Sequence, residues 1–246
     1  MSPSEFTAIE AAAFASWPAL DGEEHYCGWR LRYGGGYTKR ANSVNATAAA
    51  TALSDAQIDD IERRYRQRGL PPIFRLVSQA LPDGTDAALE RRGYRYLDRA
   101  LVMSLPLQAR HAGQPPTMLA DAADWLAEFV GRSGIAAAGN DLHLRMLRAI
   151  AGESAFALER RDGKAVCFAL GVLVDGRLGL FDVATAPGSR RQGLAAGLCA
   201  QLLAWGYARG ASSAYLQVVA ANAPAIAMYR KLGFDEAYHY WYRVED

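Results

Sequence analysis

The stretch Thr185-Ala-Pro-Gly-Ser-Arg190-Arg191-Gln192-Gly193-Leu194-Ala195-Ala196-Gly197 joins a strand-like segment to a strongly helical one through a turn rich in backbone donors. Leu180 to Thr185 reads as an apolar strand and Pro187-Gly188 as a turn. Leu194 to Arg209 reads as a helix, with Leu194, Leu198, Leu202 and Trp205 near helical spacing. The first turn of such a helix has unpaired N–H groups and the positive end of the helix dipole, and both attract anions. Gly193 and Ala195 keep bulk away from those amides, while Arg190 and Arg191 add fixed positive charge. The turn therefore reads as a cradle for a phosphorylated ligand. It matches neither the G-x-x-x-x-G-K-[ST] loop nor the G-x-G-x-x-G loop.

Downstream lies the alternating, strand-like run Tyr215-Leu-Gln-Val-Val219, followed by Asn222-Ala-Pro-Ala-Ile-Ala-Met-Tyr229-Arg-Lys-Leu-Gly233-Phe234. Asn222 suits a helix N-cap, and Gly233 a helix stop. Arg190-x-x-Gly193-x-Ala195 resembles the R/Q-x-x-G-x-G/A signature of the GNAT superfamily of acetyl-CoA-dependent N-acetyltransferases. The second block resembles that superfamily's N-x-x-A-x-x-x-Y-x-x-x-G-F signature, in the expected order and after the expected strand. The resemblance covers residues 117 to 246. It implies an α/β fold with a GNAT-like mixed central sheet flanked by helices.

The resemblance also implies a division of roles. Val183, Ala184 and Thr185 would pair with the pantetheine arm of acetyl-CoA in the manner of an added strand. Arg190, Arg191, Gln192, Gly193, Leu194, Ala195 and Ala196 would hold its pyrophosphate, and Asn222 would face the cofactor. Tyr229 stands at the general-acid position, where its phenol can protonate the leaving thiolate. An acceptor ammonium must lose a proton before it can attack, and some members of the superfamily carry a strand carboxylate for this. Asp182, the only carboxylate between Leu178 and Thr185, is the candidate base; a strand residue paired with an arginine is the plainer reading. Gln217 and the aromatic run Tyr238 to Tyr242 are candidates for the acceptor side, although alternating aromatics in a strand commonly pack.

The first half repeats this organisation without its chemistry. Tyr65-Arg-Gln-Arg68-Gly69 followed by Ile73 to Val77 parallels Gly206-Tyr-Ala-Arg209-Gly210 followed by Ala214 to Val218. Likewise Leu89-Glu-Arg-Arg-Gly93-Tyr94 parallels Tyr229-Arg-Lys-Leu-Gly233-Phe234. The paired glycines lie 141 and 140 residues apart, which reads as an internal duplication. Ser54 and Gln57 form a capping pair for a helix with Ile58, Ile61 and Tyr65 on one side, and a strand spans about Tyr96 to Leu105. No R-x-x-G-x-G/A run precedes that helix, and Leu89 stands where Tyr229 does. Tyr37 to Asn45 takes the place of the phosphate strand, with Lys39, Arg40 and Asn42 on an exposed strand face or turned toward an acceptor. The expected organisation is a degenerate GNAT-like domain over residues 1–107 that helps wall the substrate cleft, a linker over 108–116, and a catalytic domain over 117–246.

Composition narrows the function classes. Among 246 residues, 27 basic and 26 acidic side chains leave a net charge of +1, which gives no general reason to expect nucleic acid or an anionic membrane as partner. The apolar run Ala165 to Val174 is too short to cross a bilayer. Glu5 and Glu10 stand where a signal peptide would carry basic residues, so Ala11 to Ala15 reads as part of a helix and the expected location is cytoplasmic. Cys27, Cys167 and Cys199 are widely spaced without C-x-x-C, and the four histidines are scattered, so no metal site is expected. The expected activity is transfer of an acetyl group from acetyl-CoA to a small-molecule or peptide amine. A non-catalytic acyl-CoA-binding module and a transferase for longer acyl-CoA are the alternatives; a sensor would need no proton donor at Tyr229. Oligomeric state stays open, a homodimer among the options.

Overall fold

A computed structural model of the chain describes residues 1–117, 119–133 and 139–245. The chain divides into two compact units: residues 1–102, 219–221 and 236–246, and residues 103–218 and 222–235. Strand β11 (Asp235–Val244) thus falls almost wholly in the first unit, where the sequence-based division put it with the catalytic half. Strand pairing explains the difference. Strand β11 runs antiparallel to β4 (Ile73–Val77), from Tyr240 opposite Val77 to Val244 opposite Ile73.

The first unit also holds α1 (Pro3–Ser16), β1 (Glu23–Tyr26), β2 (Trp29–Arg32), β3 (Val44–Ala46), α2 (Asp55–Gln67), α3 (Thr85–Arg91) and residues 95–102 of β5 (Arg95–Pro106). Its strands run β1-β2-β3-β4-β11, with β3 and β4 parallel and the other pairs antiparallel. The apolar stripe of α2 closes onto the sheet, and Ile58, Ile61 and Tyr65 are fully buried beside Trp29, Leu31 and Phe74. Ser54 and Gln57 form the expected capping box. Lys39 and Arg40 sit in a short 3-10 turn (Lys39–Ala41) rather than on a strand face, and Asn42 is buried, its Oδ1 accepting from Gly34 N. Lys39 pairs with Asp98 at 2.9 Å. The local reason is that Thr38 caps this turn, its side chain accepting from Arg40 N.

Two of the unit's three buried arginines, Arg32 and Arg75, tie separate segments together. Arg32 donates to Glu23 and to the carbonyls of Phe14, Trp17 and Arg40 at 2.6–2.9 Å, so its fully buried guanidinium is held by four hydrogen bonds. Arg75 forms a bidentate pair with Glu10 at 2.5 and 3.0 Å, Tyr238 donates to the same carboxylate, and the guanidinium lies 4.0 Å from the centre of the Tyr240 ring.

The second unit holds β6 (Leu119–Ala120), α4 (Ala122–Arg132), α5 (Asn140–Arg148), β7 (Glu153–Arg161), β8 (Lys164–Val174), β9 (Arg177–Thr185), α6 (Leu194–Ala208), β10 (Ser213–Val219) and α7 (Ala223–Lys231). Its strand order is β10-β9-β8-β7-β6, with β10 and β9 parallel and the remaining pairs antiparallel. Helix α6 packs on β8 and β9. Gly206 makes this close approach possible, since a Cβ there would lie 2.8 Å from Leu178 Cδ2. Trp125 and Phe129 of α4 stack at 4.8 Å and meet Phe168 edge-on, which anchors α4 to the sheet.

The element order β3-α2-β4-α3-β5 recurs as β9-α6-β10-α7-β11, and so do its helix stops. Gly69 N to Arg66 O and Leu70 N to Tyr65 O reappear as Gly210 N to Tyr207 O and Ala211 N to Gly206 O. Gly93 N to Glu90 O and Tyr94 N to Leu89 O reappear as Gly233 N to Arg230 O and Phe234 N to Tyr229 O. All four glycines have positive φ, between +68° and +97°, as left-handed helix stops require.

The Glu10–Arg75 pair yields a stability prediction. Glu10→Ala strands a buried guanidinium and is expected to lower the free energy of unfolding by about 3–5 kcal/mol. Replacing both partners by apolar residues, Glu10→Leu with Arg75→Met, is expected to recover most of the loss. Urea midpoints of the three chains check this.

Candidate active site

The site is built where β9 leaves its parallel neighbour. The ladder with β10 runs from Ser213 opposite Arg177 to Leu216 opposite Leu180 and ends there. Beyond it, β9 stays paired with β8, Ala184 opposite Phe168 and Thr185 opposite Cys167. The β8–β9 register shifts between Phe168 and Leu170, so that β9 carries one extra residue. Asp182 sits in this bulge with φ +47°, a left-handed conformation uncommon outside glycine and best tolerated by Asp and Asn. A bulge bends and further twists the strand that carries it. Asp182, Val183, Ala184 and Thr185 therefore lie along the divergent end of β9, all partly exposed.

The chain then enters α6 through an exposed loop. Arg190 Nε donates to the Thr185 carbonyl at 3.3 Å, and Gln192 accepts a hydrogen bond from Arg161. Arg191 and Gly193 both have positive φ, +62° and +78°, which turns the loop sharply into the helix. Gly193 is the N-cap of α6 and supplies no side-chain acceptor, and a Cβ built on it would meet nothing within 4 Å. The opening amides over Gly193, Leu194, Ala195 and Ala196 thus have neither an intrahelical partner nor a side-chain cap. The corresponding helix of the first unit differs: Ser54 accepts from Gln57 N at the start of α2, so that its own side chains occupy the N-terminus.

Tyr229 lies on α7 with 7 % of its surface exposed, its ring 6.0 Å from that of Phe234. Burial, with the Cys199 and Cys167 thiols nearby, pushes its phenol well above the ordinary value, so at neutral pH it keeps its proton. Cys167 in turn is 3.5 Å from the Thr185 hydroxyl. Cys167 is thus in contact with the divergent end of β9 and is also one of the two thiols that raise the Tyr229 phenol. Both thiols are buried, and burial raises Cys199 to about 12. Asn222 caps α7, its Oδ1 accepting from Ala225 N at 3.3 Å. In the first unit the matching helix carries Leu89, fully buried.

Asp182 pairs with a histidine rather than with an arginine. Its Oδ2 lies 3.1 Å from Nε2 of His143 on α5. Nothing in the local sequence pointed to His143, which stands 39 residues away in an amphipathic helix. The aromatic run Tyr238 to Tyr242 belongs to the first unit, with Tyr238, Tyr240 and Tyr242 buried. Among the described residues no group of His, Cys, Asp and Glu is arranged to hold a metal ion, and no helix is long and apolar enough to cross a membrane.

Comparison with known proteins shows the family of the chain. Residues 3–243 match the family model described as "Probable histone acetyltransferase Rv0428c C-terminal". The "Uncharacterized N-acetyltransferase YobR" of Bacillus subtilis is 30% identical over 251 residues, covering 96% of this chain and 97% of that protein. The ribosomal protein bS18-alanine N-acetyltransferase of Escherichia coli is 40% identical over 77 residues, 31% of this chain and 52% of that enzyme. Among solved structures, a GCN5-related N-acetyltransferase from Kribbella flavida superposes with a TM-score of 0.68 at 18% identity, covering 97% of this chain and 95% of the other. The match to the family model across nearly the whole chain, together with a relative of equal span, places this protein in that acetyltransferase family: it is a GNAT-type acyltransferase.

Proposed function

We propose that the chain transfers an acetyl group from acetyl-CoA to a primary amine of a small molecule or peptide by direct attack on the thioester. The observation that carries this reading is an uncapped α6 N-terminus directly following the divergent end of β9, in a unit whose motif tyrosine, Tyr229, is buried and protonated. In this reading Val183, Ala184 and Thr185 pair with the pantetheine arm, the amides from Arg190 to Ala196 take the pyrophosphate, and Asn222 borders the cofactor. Asp182 removes a proton from the acceptor ammonium, and the freed nitrogen lone pair attacks the carbonyl carbon. The C–S bond breaks as Tyr229 gives its proton to the departing sulfur, and the new amide nitrogen returns a proton to the phenolate. Free CoA thiol, the N-acetyl product and one proton result.

The reading gives the first half no cofactor. Its helix α2 is capped by its own Ser54, and Leu89 offers no proton. Residues 1–107 are then a degenerate copy of the catalytic half, and one acetyl-CoA binds per chain.

The test is release of CoA thiol from acetyl-CoA across three amines: an alanine-initiated peptide, a peptide whose one amine is a lysine side chain, and spermidine. Turnover of none of them, with purified folded protein, rejects the reading. Tyr229→Phe keeps the ring and is expected to lower kcat by about 10²- to 10⁴-fold with acetyl-CoA affinity little changed. Retention of more than about a tenth of kcat, with chemistry limiting turnover, reduces Tyr229 to packing, since one exposed hydrogen bond amounts to about 1 kcal/mol. Gly193→Val adds a branched side chain to an amide cradle whose residue has φ +78°, and it is expected to weaken CoA binding in calorimetric titration while the melting profile stays cooperative. The same titration on wild-type protein is expected to give one CoA per chain; two would contradict a cofactor-free first half.

A further inference from the structure

We propose that His143 is a positioning residue for Asp182, fixing the carboxylate that takes the acceptor's proton. The inference rests on the base assigned to Asp182 above and adds a residue that neither GNAT signature contains.

Three observations carry it. The first is contact: His143 Nε2 and Asp182 Oδ2 are 3.1 Å apart, and because a carboxylate only accepts, the proton of that bond is on Nε2. The second is burial. His143 is 2 % exposed and, tyrosine, tryptophan and cysteine aside, only Ser133 is a further buried polar side chain among the described residues of its unit. A leucine would fill the same space against Phe129, whose ring His143 meets edge-on at 6.2 Å, without the cost of desolvating an imidazole. Packing alone therefore does not account for a histidine here. The third is backbone conformation. Asp182 is held at φ +47° in the β9 bulge, two residues beyond the last β9–β10 pair, and such a bulge re-aims the side chain it carries.

With Oδ2 tied to His143, Oδ1 is left to meet the acceptor. The N–H bond of the ammonium breaks, the O–H bond forms on Oδ1, and the electron pair stays on nitrogen for attack. His143 keeps its own proton throughout; its contribution is the direction of the carboxylate. Misplacement of a catalytic group by about 1 Å costs on the order of 10²-fold in rate.

The experiment compares His143→Leu, His143→Gln, His143→Asn and Asp182→Asn in the full-length protein, using whichever amine of the three-member panel turns over fastest. Asn at 182 tolerates the left-handed backbone, so the last variant removes the base and spares the bulge. His143→Leu is expected to lower kcat about 10- to 100-fold with the KM for acetyl-CoA within about twofold of wild type. His143→Gln places an amide N–H near the former Nε2 and is expected to recover kcat to within about threefold, whereas the shorter Asn falls with Leu. If His143→Leu does not fold, the Gln and Asn pair makes the same discrimination. Asp182→Asn is expected to fall at least about 100-fold.

Full kcat in His143→Leu, or equal loss in Gln and Asn, beside a collapsed Asp182→Asn overturns the positioning role and leaves the base in place. Full kcat in Asp182→Asn removes the base itself, and with it this inference. Turnover of no amine removes the proposed function on which both stand.

Discussion

The parallel ladder between β9 and β10 ends after four residue pairs, and the features of the candidate site follow from that ending. A strand normally satisfies its main chain on both sides inside a sheet. Here the bulge at Asp182 adds a residue to β9 and bends it, so that its last residues stay bonded to β8 while diverging from β10. An extended ligand can pair with such a strand as another strand would. Chain connectivity then sets the rest: the loop after Thr185 must lead into α6, so the helix amides come within a few residues of the divergent strand.

Capping separates the two matching helices more clearly than apolar pattern does. Both α2 and α6 follow a strand and end on an Arg-Gly stop with the same hydrogen bonds. At their beginnings they differ. Ser54 and Gln57 close the start of α2 upon itself, whereas Gly193 leaves the start of α6 to be satisfied by solvent or ligand. A capping box of this kind stabilises a helix by about 0.5–2 kcal/mol. Forgoing it at α6 is what keeps the amides available to an anion.

The buried charges of the first unit show a different use of polarity. Glu10, Arg75 and Tyr238 bring together a helix, a central strand and the last strand through one carboxylate, and Arg32 joins the C-terminal end of α1 (Phe14 and Trp17 carbonyls) and the 3-10 turn (Arg40 carbonyl) to Glu23. Each charge has an opposite charge bonded to it, which is the condition under which charge is tolerated in a core. Such pairs specify which segments meet, since the carboxylate has no equivalent partner elsewhere among them.

Much of this was legible in the linear chain because it rests on neighbours in sequence. The β9–turn–α6 segment, the Asn222 cap, the Ser54–Gln57 box, the Arg-Gly stops and strand β4 over Ile73 to Val77 all depend on contacts within a few residues, where side-chain type dictates backbone geometry. The same reading put Lys39 and Arg40 on a strand because Tyr37 to Asn45 takes the place of the phosphate strand in the duplicated order; the Thr38 cap and the burial of Asn42 made a turn instead. Pairings between distant segments were not legible at all. That β11 pairs with β4, that β9 carries a bulge at Asp182, and that the partner of this carboxylate is His143 across 39 residues were decided by sheet register and helix packing. Local propensity carries no information on which of several distant strands or helices will meet, and the tertiary fold alone supplies it.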